Sequence, residues 1–128
     1  MFSWTELQQY NFESPPSIQF KRKSNIEVDY QKHLTILKRQ EINVSDYIKS
    51  KAFPNNEKYT FLKNNFPYDI EDGIEHWLLW LNPDFKISDL DIKKIVEEKM
   101  GTNSVYFCNI KANQSIPSIR HCHIFSKL

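Results

Sequence analysis

Four histidines occur in the chain, and two of them stand one residue apart near its end, in Arg120-His121-Cys122-His123. Side chains alternate faces along a strand, so His121 and His123 share one face with Ile119 and Phe125. His76 lies in an apolar run, Ile74–Leu81, on the face of Ile74, Leu78 and Trp80. An imidazole carries a donor and an acceptor and titrates near neutral pH. A pair can grip a phosphate, ligate a metal or divide acid and base work. If the two strands are neighbours, three imidazoles converge, which is enough for a divalent metal such as catalytic zinc with an open position. The same trio could bind phosphate without metal, and no cofactor is expected. The bland alternative makes His76 a hydrogen-bonded core histidine and the pair two polar positions on a solvated sheet face. Alternating apolar neighbours argue against that for the pair, because a half-buried polar group needs a partner.

Neutral hydrogen-bonding groups cluster near the entry to the last strand: Asn109, Asn113 and Gln114. An earlier loop, Lys63–Tyr68, adds Asn64 and Lys63, and also Tyr68. With Arg120, the residues Asn109, Asn113, Asn64 and Tyr68 form the candidate ligand-binding set around the catalytic candidates His76, His121 and His123. On a regular strand Arg120 points away from the histidines, and a bulge after Pro117 would turn it back. Lys21-Arg22-Lys23 reads as a solvated approach to a helix, with a phosphate contact as the sharper alternative. A lone helical histidine is more often an edge residue than a ligand, so His33 is left outside the site. Cys108 and Cys122 are not a CxxC pair and cannot make a four-ligand zinc site alone. As strand cysteines they are expected reduced and buried. Two glycines exclude a Gly-rich phosphate loop, and no nucleophile elbow occurs.

These side chains need a frame. Ser3–Tyr10 is a short helix, and Pro15-Pro16 ends any continuation. Ser24 caps a helix over Asn25–Gln40, with Ile26, Tyr30, Leu34 and Leu37 as its buried stripe. Ser45 starts a second helix that Pro54 closes. The pattern then turns to strands: Tyr59–Leu62, a turn at Asp72-Gly73, and Ile74–Leu81, apolar on both faces and so central. Ser88 and Asp91 form a capping box for Asp89–Met100, striped by Leu90, Ile95, Val96 and Met100 and ended by Gly101. Val105–Ile110 and about Ile119–Phe125 are the last strands, joined through a polar loop, Lys111–Gln114. Helices before strands predict α+β, a helical N-terminal half packed on one mainly antiparallel sheet. The sheet part reads strand-strand-helix-strand-strand.

The chain of 128 residues suits one domain, 1–128, with a mostly helical part to residue 56 and the sheet part from 57. Its 40% apolar content supports a packed core. A net charge of +1 gives no support to bulk binding of nucleic acid or an anionic membrane. No apolar run is long enough to cross a bilayer and no leader pattern opens the chain, so an intracellular, cytoplasmic protein is expected.

Three ordered segments also carry a resemblance. Lys63–Tyr68, Gly73–Trp80, and Asn109 with Ser115–Phe125 are similar to an uncharacterised domain family that includes fungal proteins called N-acetylglucosamine-induced protein 1, over about residues 25 to 125. Its members place an asparagine and a His-x-His pair near the C-terminus, matched by Asn109, His121 and His123. The name concerns induction by an amino sugar and does not establish sugar binding. More distantly, the order of His76, helix, Asn109 and alternating histidines resembles the histidine-triad nucleotide hydrolases and transferases. That resemblance implies a middle histidine attacking a nucleotide's α-phosphate. Here Phe125 or Ile119 stands at the third place, depending on the alignment, so the nucleophile would be His123 or His121.

The functional expectation is a histidine-based phosphoester hydrolase or nucleotidyl transferase acting on a nucleotide or sugar nucleotide. The alternative is a non-catalytic module that binds a small phosphorylated ligand, a sugar nucleotide or a protein at the same histidines.

Overall fold

The computed structural model describes residues 1–110, 113–114 and 116–127. The elements are α1 (Trp4–Leu7), α2 (Ser24–Arg39), α3 (Val44–Ala52), β1 (Tyr59–Lys63), β2 (Ile74–Leu81), α4 (Asp89–Met100), β3 (Val105–Phe107) and β4 (His121–Lys127). The strands form one antiparallel sheet in the order β1-β2-β4-β3. The fold is therefore α+β, as the pattern predicts. β2, apolar on both faces, is internal, and β4 is its inner neighbour.

Local chemistry sets most boundaries. Ser3 and Glu6 make a capping box on α1, and the helix ends after one turn rather than reaching Tyr10. Ser88 and Asp91 make the expected box on α4. Two caps differ from expectation. Ser24 is the first residue of α2, with Lys23 at the cap and no side-chain bond there. Asn43, not Ser45, caps α3 by accepting from the Asp46 N–H at 3.2 Å. The Ser45 hydroxyl instead meets the Ser118 hydroxyl at 2.8 Å and ties α3 to the approach to β4. Gly73 has φ +86°, the left-handed conformation that the Asp-Gly turn into β2 demands. β3 stops at Phe107, and β4 starts and ends two residues later than expected. Of the loop expected at Lys111–Gln114, Lys111 and Ala112 lie outside the described residues, as does Ser115.

Register assigns the faces. Thr60 and Leu62 of β1, His76, Leu78 and Trp80 of β2, His121, His123 and Phe125 of β4, and Val105 and Phe107 of β3 share one face. Its Trp80 end packs with Ala52 and Phe53 at the end of α3, and with Ile119. Its Phe125 end packs with Phe107, Leu7 and Phe20. The opposite face, Leu79, Leu81, Cys122 and Ile124, is covered by Ile92 and Val96 of α4. Leu90 does not belong to that stripe: it is 77% exposed, because the buried positions of α4 step four residues from Ile92 to Val96. Phe107 and Phe125 are wholly buried, each burial worth roughly 1.5–3 kcal/mol. The histidines sit between the two apolar ends of the first face.

Candidate functional site

Three imidazoles meet on the inner strands. His76 faces Phe125 across the β2–β4 pair, and His123 faces Leu78, so the two histidines are diagonal neighbours. His76 Nε2 and His123 Nδ1 are 2.9 Å apart. His121 stands opposite Trp80, with ring centroids 4.5 Å apart. All three are buried.

The surrounding groups order the protons. Asn64 Oδ1 accepts from the Phe66 N–H at 2.9 Å, which turns Asn64 Nδ2 toward His76 Nδ1 at 3.4 Å. The Tyr68 N–H also donates to His76 Nδ1, at 3.3 Å. With two donors on Nδ1, neutral His76 carries its proton on Nε2 and donates to His123 Nδ1. His123 then carries its proton on Nε2, which lies 3.1 Å from the Asn109 amide and 3.4 Å from Tyr68 Oη. The same amide end lies 3.0 Å from Tyr68 Oη. This order calls for the amide oxygen of Asn109 at that point, accepting from both His123 and Tyr68; amide nitrogen and oxygen are told apart only by such partners. Both nitrogens of His123 are therefore engaged. His121 differs: its Nδ1–H donates to the Ile119 carbonyl at 3.0 Å, leaving Nε2 with a free lone pair and, among the described residues, no hydrogen-bond partner.

Burial decides the charge states. Desolvation, with smaller contributions from the Arg22 and His121 charges, pushes the His76 pKa down to about 3. His123 is held well below the ordinary histidine range by desolvation and then by His76, His121 and Arg22. Desolvation also lowers His121, against the opposing pull of its bond to Ile119. Desolvation raises the Tyr68 phenol, so it stays a donor. The cluster is neutral at pH 7.

His121 and His123 form part of the wall of a cleft of about 620 Å³ between the sheet and α2–α3. Its other polar lining includes Arg22, Lys51, Lys63, His33 and Asn64, with Tyr30, Tyr47, Phe66 and Trp80 as aromatic surface. Among the described residues three permanent cations and no carboxylate line it. Arg22 is held rigidly: Nε donates to the Phe66 carbonyl at 2.8 Å, the guanidinium lies 4.0 Å over Tyr30, and Glu27 pairs with it at 3.3 Å. A smaller cavity of about 380 Å³ on the other side of Asn64 is of mixed charge, with Glu71, Asp72 and Glu75 beside Lys23 and Lys63. A groove of about 770 Å³ along the β3 edge contains none of the histidines. The first cleft combines cations, aromatic rings and a free imidazole nitrogen among the described residues.

A family model described as "Protein of unknown function (DUF3605)" matches residues 3–127. The chain belongs to this family. No curated protein matches it. The solved structure of HTC1 is similar in fold, with a TM-score of 0.69 at 18% identity, covering 100% of this chain and 86% of that one. At that identity the likeness extends to the DUF3605 fold alone.

Within this DUF3605 chain the structure unites His76, His121, His123, Asn109, Asn64 and Tyr68. Asn109 and Tyr68 stand behind His123 as its partners, and Asn64 is the one of the three that lines the cleft. Two expected contacts lie elsewhere. Arg120 points to the opposite face, as strand alternation requires, and pairs with Asp89 at 2.5 Å. Asn113 donates to the Ile18 carbonyl at 3.0 Å and fastens the N-terminal segment instead. His76 and His123 turn their nitrogens on each other, and among the described residues no group of three or more His, Cys, Asp or Glu is arranged to hold a metal ion. His33, excluded by sequence, does line the cleft, packed between Tyr47 and Phe66. Arg22 is the member of the basic cluster that turns inward, and Lys51 and Tyr47 come from α3. Among the described residues, no helix is long and apolar enough to cross a membrane.

Proposed function

We propose that the cleft binds a small phosphorylated ligand, a nucleotide or sugar nucleotide, and that the protein acts on it as a phosphoester hydrolase or nucleotidyl transferase through His121. One observation carries this reading: His121, with its free Nε2, lines a wall whose charged groups among the described residues are all cationic. Arg22, Lys51 and Lys63 would hold the phosphate oxygens, and Tyr30, Tyr47 or Trp80 would receive a base or sugar. His121 Nε2 would attack phosphorus, forming an N–P bond as the P–O bond to the leaving group breaks. Water or a second hydroxyl would then take the phosphoryl group as the imidazole departs, its proton passing through solvent to the oxygen of the leaving group. The bond from Nδ1 to Ile119 aims the ring and stabilises the positive charge it gains. His76, His123, Asn109 and Tyr68 act here as positioning residues. This keeps the distant likeness to the histidine-triad enzymes as part of the proposal, with His121 as the nucleophile.

A specific observation also favours a module that binds without turnover. Ile119 and Phe125 flank the histidine pair and are fully buried apolar residues, and the described wall has no carboxylate to serve as an acid.

Both readings meet in one experiment. Purified protein is titrated with AMP and with a uridine-diphosphate sugar, following heat release for binding and phosphorus NMR for turnover. The enzyme reading expects product from wild type and none from His121→Ala, with circular dichroism showing the variant folded although loss of the buried ring and its bond to Ile119 lowers its melting temperature. Binding without product selects the module. No binding of either compound, or full turnover by His121→Ala, overturns the proposal.

A further inference from the structure

The β3–β4 register pairs Val105 with Phe125, Tyr106 with Ile124 and Phe107 with His123. One step further sets Cys108 opposite Cys122, on the α4 face, away from the histidines. Their sulfurs are 2.7 Å apart, and both cysteines are free thiols. Directly opposed residues of an antiparallel pair have Cα atoms about 4.5 or 5.5 Å apart, and a disulfide spans about 4.4–6.8 Å. Sulfurs already in contact on opposed positions of this kind can be joined by side-chain rotation. We propose that Cys108 and Cys122 are a redox-modification site, closed to an intramolecular cross-strand disulfide by exchange with a small-molecule disulfide such as oxidised glutathione.

The pair is asymmetric. Cys108 is half-buried and reachable; Cys122 is fully buried. The hydrogen bond from Cys122 and the nearby Arg120 charge favour the Cys108 thiolate, while Cys122 is held well above the ordinary thiol range by the same bond and by burial. Cys108, its proton lost to water, attacks one sulfur of the oxidant, forming a mixed disulfide and expelling one thiolate. The Cys122 proton passes to that thiolate. The Cys122 sulfur then attacks Cys108 Sγ and expels the second thiolate, which takes up the first proton. Two electrons leave the protein as one S–S bond forms, and the oxidant is reduced to two thiols. Access only through Cys108 makes it the attacking thiol and Cys122 the resolving one.

The full chain is equilibrated in glutathione buffers of graded oxidation, quenched with acid and N-ethylmaleimide, and weighed by mass spectrometry. Wild type is expected to lose the mass of two hydrogens, with no glutathione retained and no maleimide added. Cys122→Ser should trap one glutathione on Cys108, and Cys108→Ser should remain unmodified. Wild type that keeps two alkylatable thiols in every buffer, retains glutathione or forms cross-linked dimers would overturn the proposal. The wild-type measurement decides even if a variant fails to fold.

Discussion

His76 Nε2 donates to His123 Nδ1 across 2.9 Å, and that bond removes two of the three buried imidazoles from direct chemistry. The proton position on His123 follows from it, and that on His121 follows from its own bond to the Ile119 carbonyl. His121 is left as the ring with a free nitrogen.

The proton order is measurable in itself. Nitrogen chemical shifts should place the proton on Nε2 of His76 and His123 and on Nδ1 of His121. An Nε2-protonated His121 would contradict the order and withdraw its nucleophile.

His76→Phe should destabilise the fold by about 1–3 kcal/mol, the cost of leaving the buried His123 Nδ1 without a donor. A second change, His123→Phe, removes the stranded acceptor, so the double variant should cost less than the sum of the singles. Strict additivity in urea unfolding would mean that the bond does not couple the two rings.

Stability should fall with acid earlier than carboxylate protonation explains. The folded pKa values of His76, His121 and His123 are lowered, so the unfolded chain, with histidine pKa near about 6.5, binds more protons below that pH. Their contribution is complete above about pH 6.5 and declines as pH drops, for His76 until about 3. Each such group adds a slope of up to about 1.4 kcal/mol per pH unit. Urea midpoints at pH 8, 7, 6 and 5 check this. Equal midpoints at pH 7 and 5 would show that the rings are not held neutral.

Arg22→Met keeps much of the stem and deletes the charge at the cleft. Affinity for a nucleoside monophosphate should drop about tenfold to a hundredfold, as for a lost charge-assisted hydrogen bond of about 1.5–3 kcal/mol. Lys21→Met, on an exposed neighbour, should change it little. Equal losses would reduce Arg22 to one of several general charges, and titration calorimetry separates the two.

The sheet and its helices were legible because their signals are local: a capping box at Ser88–Asp91, an Asp-Gly turn before Ile74, an apolar run that had to be internal. Alternation alone put His121 and His123 on one face and Arg120 on the other. The cap of α3 went to Asn43 because Ser45 is drawn to Ser118, a partner 73 residues away. The cleft escaped for the same reason. Arg22, His33, Lys51 and Tyr47 come from three separate segments, and nothing in their neighbourhoods announces a common wall. Asn113 resembled a ligand contact because loop asparagines all look alike until a backbone carbonyl claims one.

β4 carries two chemistries on alternate residues, imidazoles toward the cleft and a thiol toward α4. A slip of one residue against β2 would exchange them, placing Cys122 and Ile124 at the cleft and His121 and His123 beneath Ile92 and Val96. Phe125, buried between Phe107 and His76, therefore acts as a key: the packing that fixes its place also decides which functional groups this protein presents to its cleft.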